Sequence, residues 1–381
     1  MIVVVADDIT GAAEIAGKAI EFGLRVRFIC TFDGNLSVSG NPDILVIATN
    51  TRSYSEEEAL TFNQLLARSL NHTSFRIFKK CDSVLRGYVL TELLPFARSA
   101  NCTQILLQPA NPEAGRCIKN GRYTINNQEL HHTAFKDDPD FPATTSLVSQ
   151  LLKIRNPLFF QSGSIDYKIS DCSTGNDMQV LLSNADRSST LFAGSTAFFG
   201  HYLKYIHGYE PKSGPIYSAG KPTIPFLLIA GSTHTSTSDT EQYFRDIKLT
   251  LHALPSELRQ NQCSTGSIHS FATALEEQWK QNPEDGILLT IGEPRECFPQ
   301  AAERLNERLC MTAKHLIAGL KLHSIYCTGG ATAWQLIQEM RWTNLVPLHT
   351  LAPGVIRFEV ENSPGTVLTI KPGSYSWGIR S

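Results

Sequence analysis

No apolar run in the chain approaches the 18 or more consecutive residues that a membrane helix needs. There is no strong excess of either charge. The 34 basic and 36 acidic residues leave a formal net charge of -2. The basic stripe that marks a nucleic-acid footprint is missing, and Lys79-Lys80 is an isolated pair. Cys-x-x-Cys pairs are also lacking. The nine cysteines, at 30, 81, 102, 117, 172, 263, 297, 310 and 327, are odd in number and irregularly spaced. That argues against a disulfide framework or zinc site and for free thiols in a reducing compartment. Neither Gly-x-x-x-x-Gly-Lys-[Ser/Thr] nor a dinucleotide Gly-x-Gly-x-x-Gly is present. The opening residues, Met1-Ile-Val-Val-Val-Ala-Asp-Asp, lack the basic stretch and longer apolar stretch of a leader and read as a strand. Together these predict a cytoplasmic protein with neither nucleic acid nor membrane as partner. A homodimer is compatible with the sequence.

What is present is ordinary globular material: 381 residues, 42% hydrophobic and 18% charged. At roughly 100–200 residues per domain this predicts two domains, three at most. Short apolar runs alternate with helical patterns. Strands are expected at 2–5, 26–30, 44–48, 76–78 and 104–107. A helix is expected at 12–22, with Ile15, Ala19 and Phe22 on one face, and another at 56–70, striped by Leu60, Leu65, Leu66 and Leu70. Strands separated by helices imply parallel βαβ units. Residues 109–142 are aperiodic and read as a long loop, with a short strand at 123–125 and a turn at Asn126-Asn127. Beyond it, a helix is expected near 145–152 and strands near 158–161 and 190–193. A linker rich in Gly and Pro spans about 208–225. A second series follows, with strands at 226–230, 287–290, 324–327 and 367–370 and a helix at 334–340. The expected fold class is α/β: two α/β domains, residues 1–215 and 216–381, with mostly parallel sheets and a ligand cleft between them.

The chemistry-bearing residues cluster where these strands end, the place where open parallel sheets collect ligands. Ala6-Asp7-Asp8-Ile9-Thr10-Gly11 sets two carboxylates between a strand and a helix. They suit binding of hydroxyls, holding a metal or accepting a proton, or one of them caps the helix. Thr49-Asn50-Thr51-Arg52-Ser53 offers Arg52 for a bidentate grip on a carboxylate, or as a solvated loop residue. Lys79-Lys80-Cys81-Asp82-Ser83-Val84-Leu85-Arg86-Gly87 gathers Lys80, Asp82, Ser83 and Arg86, the composition of an anion site with a carboxylate beside it, or of a capped helix with surface charge. Gln108-Pro109-Ala110-Asn111-Pro112-Glu113-Ala114-Gly115-Arg116 reads as a loop shaped by its prolines, and His131-His132 as an exposed pair. In the second half, Gly231-Ser232 and Thr328-Gly329-Gly330-Ala331-Thr332-Ala333 each follow a strand, and the latter opens a helix. Backbone N–H groups and the positive helix end there suit phosphate. Ile370-Lys371-Pro372-Gly373 leaves the last strand in another glycine turn.

In this order, the motifs resemble those of the four-carbon acid sugar kinase family. The family's Asp-Asp-x-Thr-Gly turn resembles residues 7–11, its Thr-x-Ser-Arg-like turn residues 49–53, its Lys-x-Asp-Ser-x-Leu-Arg-Gly segment residues 80–87, and its Pro-x-x-Pro-Glu-x-Gly-Arg loop residues 109–116. Its Gly-Ser strand end resembles Gly231-Ser232, its Gly-Gly-Asp-Thr-Ala turn residues 329–333, and its glycine-rich tail residues 371–378. Three departures stand out. Ala331 replaces the Asp, the tail is longer and bulkier, and the second motif reads Thr49-Asn-Thr-Arg-Ser.

The resemblance implies phosphorylation of threonate, erythronate or a related acid with ATP and Mg2+, the acid bound by the first half and the nucleotide by the second. On that reading Asp7, Asp8, Arg52, Lys80, Asp82, Ser83 and Arg86 bind the sugar acid. Asp8 is the group nearest the reacting hydroxyl and Asp82 its orienting partner. Asp7, nearest the strand, is expected to cap the helix or serve the turn backbone. Ser232, Gly329, Gly330, Ala331, Thr332 and Gly373 hold the nucleotide, and no metal ligand is assigned. Two rivals remain open: another sugar-acid enzyme such as a dehydrogenase or isomerase, for which no cofactor motif is found, and a non-catalytic sugar-acid sensor, motivated by Ala331 and the altered tail.

Overall fold

Strand β1 (Ile2–Ala6) consists of five buried residues, as a strand covered on both faces requires. The computed structural model describes all residues except 35, 37–39, 71–74, 163–164, 214–216, 218–221, 232–236, 282, 284, 294–297, 299, 374 and 379–381. The chain divides into two units, Met1–Ser213 and Gly214–Ser381, each α/β with a mostly parallel sheet.

In the first unit β1 is followed by α1 (Ile9–Glu21), β2 (Val26–Ile29), β3 (Ile44–Ala48), α2 (Glu56–Leu70), β4 (Arg76–Lys80), α3 (Val89–Ser99) and β5 (Gln104–Gln108). Then come β6 (Arg116–Lys119), β7 (Arg122–Ile125), β8 (Gln128–Glu129), α4 (Val148–Arg155), α5 (Pro157–Gln161), β9 (Asp166–Lys168), α6 (Gly175–Ser183), β10 (Thr190–Gly194) and α7 (Thr196–His207). The main sheet runs β2-β3-β1-β4-β10-β5-β9, parallel throughout. The chain leaves β1 toward β2 and β3 on one side and returns to β4 on the other. The carboxyl ends of β1 and its two neighbours therefore form a topological switch point, where such sheets bind ligands.

Three expectations fail here. Residues 109–142 are not one long loop: β6, β7 and β8 form a small antiparallel sheet. Its tight turn is at Asn126-Asn127, both with positive φ (49° and 64°) as a two-residue hairpin requires. The run at 158–161 is the helix α5 rather than a strand. Pro157 starts it at a position that needs no N–H, and a four-residue apolar run does not distinguish the two forms. The buried face of α2 is Glu56, Ala59, Asn63, Leu66, Ala67 and Leu70, whereas Leu65 is 51% exposed. Buried hydrogen bonds place Glu56 and Asn63 inside: Thr91 donates to Glu56, and Asn63 to the Ala59 carbonyl.

The second unit contains β11 (Phe226–Ala230), α8 (Thr237–Tyr243), β12 (Leu249–Ala253), α9 (Thr265–Gln281), β13 (Gly286–Thr290), α10 (Ala301–Gly319) and β14 (Ser324–Thr328). It continues with α11 (Gly330–Met340), β15 (Asn344–Ala352), β16 (Val355–Val360) and β17 (Val367–Lys371). Its sheet runs β12-β13-β11-β14-β17-β16-β15, with the last two pairings antiparallel. The switch point falls between β11 and β14. Part of the expected linker, and Ser232, lie outside the described residues. Among the described residues no helix is long and apolar enough to cross a membrane, and the cysteines are free thiols.

Candidate active site

Parallel register brings three loops of the first unit to one point. Ala6, Ala48 and Lys80 are paired across β1, β3 and β4, so the residues that follow them emerge side by side. Arg52, in a short 3-10 turn after β3, is the hub. Its Nε and Nη2 donate to one oxygen of Asp7 at 3.0 and 2.8 Å. The same Nη2 lies 3.3 Å from Asp8 Oδ1, and Nη1 lies 3.6 Å from Asp82 Oδ1. Burial pulls the Arg52 pKa down, but Asp7, Asp8 and Asp82 more than offset it, so the guanidinium stays charged.

Asp8, not Asp7, caps α1. Its extended backbone lets Oδ1 accept from the Gly11 N–H at 3.0 Å, while Oδ2 accepts from the Thr10 hydroxyl. The expected capping role of Asp7 is therefore corrected. Asp7 faces Arg52, and its second oxygen is buried without a partner among the described residues. Burial raises the Asp8 pKa, yet Arg52, Lys80 and Thr10 outweigh it and the net shift is downward. Lys80 is 4% exposed and donates to the Cys81 carbonyl at 3.1 Å. Burial lowers its pKa, but Glu14, Asp8 and Asp7 raise it further, so it stays an ammonium.

The loop after β4 wraps around Asp82. One carboxylate oxygen accepts from the Val84 and Arg86 N–H groups at 3.0 and 3.2 Å, and the other from Arg86 Nη2 at 2.8 Å. Against burial, Arg86, Arg52 and Lys80 hold Asp82 well below the ordinary carboxylate range. Arg86 also reaches Asp138 at 3.3 Å and lies over the Phe135 ring. Ser83 accepts from Arg116.

The sequence did not single out the supports of these groups. Arg155, 7% exposed, donates to the carbonyls of Val84, Leu85, Phe141 and Pro142, tying the Asp82 loop to the segment that carries Asp138. Beneath Arg52, Glu92 accepts from Lys79 at 2.7 Å and Thr51 at 2.9 Å. The signal that could have exposed both was a charged residue inside an apolar helical stripe, because a buried charge needs partners.

In the second unit Gly329 (φ 97°) caps α11, and its N–H bonds to the Lys371 carbonyl at 2.9 Å. The first intrahelical bond is from Ala333 to the Gly329 carbonyl. The N–H groups of Gly330, Ala331 and Thr332 therefore precede it, as phosphate binding at a helix start requires. The Thr332 side chain is buried against β11: a Cβ on Gly231 would collide with its hydroxyl and lie 2.9 Å from Asn306 Oδ1. Asn306 donates to the Ala331 carbonyl at 3.1 Å. The Lys371 ammonium is engaged by the carbonyls of Pro372 and Tyr375, and Asp239 accepts from Ser376 and the Trp377 N–H, which fixes the tail around Gly373.

Residues 2–178 match the model of a family described as the sugar-binding N-terminal domain. Over 97% of this chain and 93% of the relative, it is 29% identical to a 3-oxo-tetronate kinase of Cupriavidus necator. Over its whole length the chain is thus similar to a kinase of a four-carbon acid sugar, and its first unit to a sugar-binding domain. A D-threonate kinase of Salmonella typhimurium is 26% identical over 41% of the chain and 37% of its own length. This chain spans about a third of the length of the first curated relatives it matches. A crystal structure from Haemophilus influenzae shares the fold, with a TM-score of 0.71 over 100% of this chain and 97% of that one at 18% identity.

Proposed function

We propose that this protein is an ATP-dependent kinase that phosphorylates a hydroxyl of a four-carbon sugar acid such as threonate, erythronate or an oxo-tetronate. The carrying observation is the Arg52 hub, which holds three carboxylates at the carboxyl ends of adjacent parallel strands. Ionised carboxylates accept hydrogen bonds from hydroxyls, and a polyhydroxy acid offers several. The names of the relatives supply the substrate class and the kinase chemistry.

Asp8 is the hydroxyl acceptor. Its side chain is 17% exposed, against 4% for Asp7 and 9% for Asp82, so it is the most accessible of the three. Asp82, locked by backbone and Arg86, orients the substrate together with Ser83 and Lys80, while Arg52 and Arg86 hold the carboxylates in place. Depressed pKa values make Asp8 and Asp82 weak bases. A loose phosphoryl-transfer transition state needs position more than basicity. The second unit takes the nucleotide, its phosphates on the N–H groups of Gly330, Ala331 and Thr332 beside Gly329, with Gly373 nearby. Those amides fit an anion, and none of them depends on the side chain at Ala331. Mg2+ arrives with ATP and neutralises phosphate charge.

Calorimetric titration with each ligand alone tests the reading. A kinase binds both the sugar acid and MgATP. Binding of the acid with no binding of MgATP would make the protein a sensor.

A further inference from the structure

Two of the arginines near Asp82 are already matched by carboxylates. Arg52 has Asp7, Asp8 and Asp82, and Arg86 has Asp82 and Asp138. Lys80 lies in the field of Glu14, Asp8 and Asp7. Arg116 differs. Its guanidinium donates to the neutral hydroxyl of Ser83, and among the described residues it forms no ion pair with a carboxylate. The fold places it there deliberately. Gly115, at φ 68°, turns the chain into β6, where a side chain would collide with Asn126, and paired bonds between Asn111 and Arg116 (2.8 and 3.0 Å) fix the strand start. A second group comes from the same small sheet. Tyr123 on β7 is fully buried, and among the described residues its hydroxyl makes no hydrogen bond. Burial raises its pKa while Arg116 lowers it and Asp82 raises it, so the phenol is a protonated donor coupled to both charges.

We infer that Arg116 binds the carboxylate of the sugar acid and sets the preference for acids over neutral polyols. This rests on the sugar-acid reading above and names the group that reads the acid end. A guanidinium grips a carboxylate through two parallel N–H bonds, and one with only a hydroxyl partner has donors left for it. The length is right for a short molecule. Arg116 touches Ser83, whose Cα is about 3.8 Å along the chain from that of Asp82. A ligand with its acid on Arg116 and its hydroxyls on Asp82 and Asp8 therefore has only a few carbons. The small antiparallel sheet, which has no part in the main sheet, then has a function: it delivers the acid-reading group.

The test is calorimetric binding, without nucleotide, of D- and L-threonate, D- and L-erythronate and the neutral polyol threitol to the parent, Arg116→Met and Arg116→Lys. Arg116→Met should weaken the preferred acid by roughly tenfold to a hundredfold. Arg116→Lys should recover part of the loss, and threitol affinity should not change, so discrimination collapses. Equal loss for acid and polyol would mark a merely structural role and overturn the inference, as would unchanged discrimination in both variants. The two readings fail separately. A parent that binds threonate but never consumes ATP removes the kinase and leaves Arg116. A parent that phosphorylates threonate, with KM unchanged in Arg116→Met, removes Arg116 alone. A parent that binds none of the acids overturns both.

Discussion

Arg52 grips a single oxygen of Asp7 through two nitrogens, at 3.0 and 2.8 Å, across 45 residues of sequence. Asp7 stands at the end of β1 and Arg52 just beyond β3, so this contact joins two strand ends and aims the remaining guanidinium edge at Asp8 and Asp82. Four buried or half-buried charges from three loops thereby become one unit, and removing one member leaves the others unbalanced.

Asp8→Asn separates catalysis from folding. Asparagine caps helices about as well as aspartate, so the start of α1 should survive, while the charge lost from the Arg52 unit should lower the melting temperature without unfolding the protein. The amide cannot accept the proton, and kcat should fall roughly a hundredfold with little change in KM. Steady-state kinetics and a thermal melt check this. A near-normal kcat would remove Asp8 from the reaction.

Asp82 makes a pH prediction. Its folded pKa lies well below the ordinary value, so its contribution to stability is complete above about pH 4, the unfolded value, and is lost as pH falls through the lower folded value. Urea midpoints of the parent and Asp82→Asn should differ by a constant amount from neutrality down to about pH 4 and converge below it. A gap that closes between pH 7 and 5 would contradict the network.

Gly330→Val addresses the helix start. Gly330 is the first residue of α11 and is not in the left-handed region, so valine is conformationally tolerated. Its branched side chain should keep phosphate from the amides, weakening ATP by at least about tenfold while acid binding is retained. Separate titrations decide. Unchanged ATP affinity in a folded variant would place the phosphates elsewhere.

Much of this was legible in the sequence because it is written in short range. The strands around Asp7, Arg52 and Asp82 are compact apolar runs ending in polar turns, and parallel pairing aligns those ends without further information. The capping assignment was not legible. Whether Asp7 or Asp8 turns to the Gly11 amide depends on where Arg52 arrives from another loop. In the aperiodic stretch at 109–142 the strand at 123–125 and the turn at Asn126-Asn127 were legible, but β6 and β8, four and two residues long, fall below any periodicity. Arg116 closes the loop at residues 109–116, and nothing in its local sequence sets it apart from the other arginines. Only the structure, which pairs Arg52 and Arg86 with carboxylates and leaves Arg116 on a hydroxyl, distinguishes it.

The most direct test of the account is conversion of ATP to ADP by the parent protein, measured against a panel of threonates, erythronates and 3-oxo-tetronate with neutral polyols as controls. The account predicts ADP formation that depends on one or a few of the acids, at a one-to-one ratio with a phosphorylated acid. No acid-dependent ADP formation across the whole panel, in a protein shown to be folded, would contradict it.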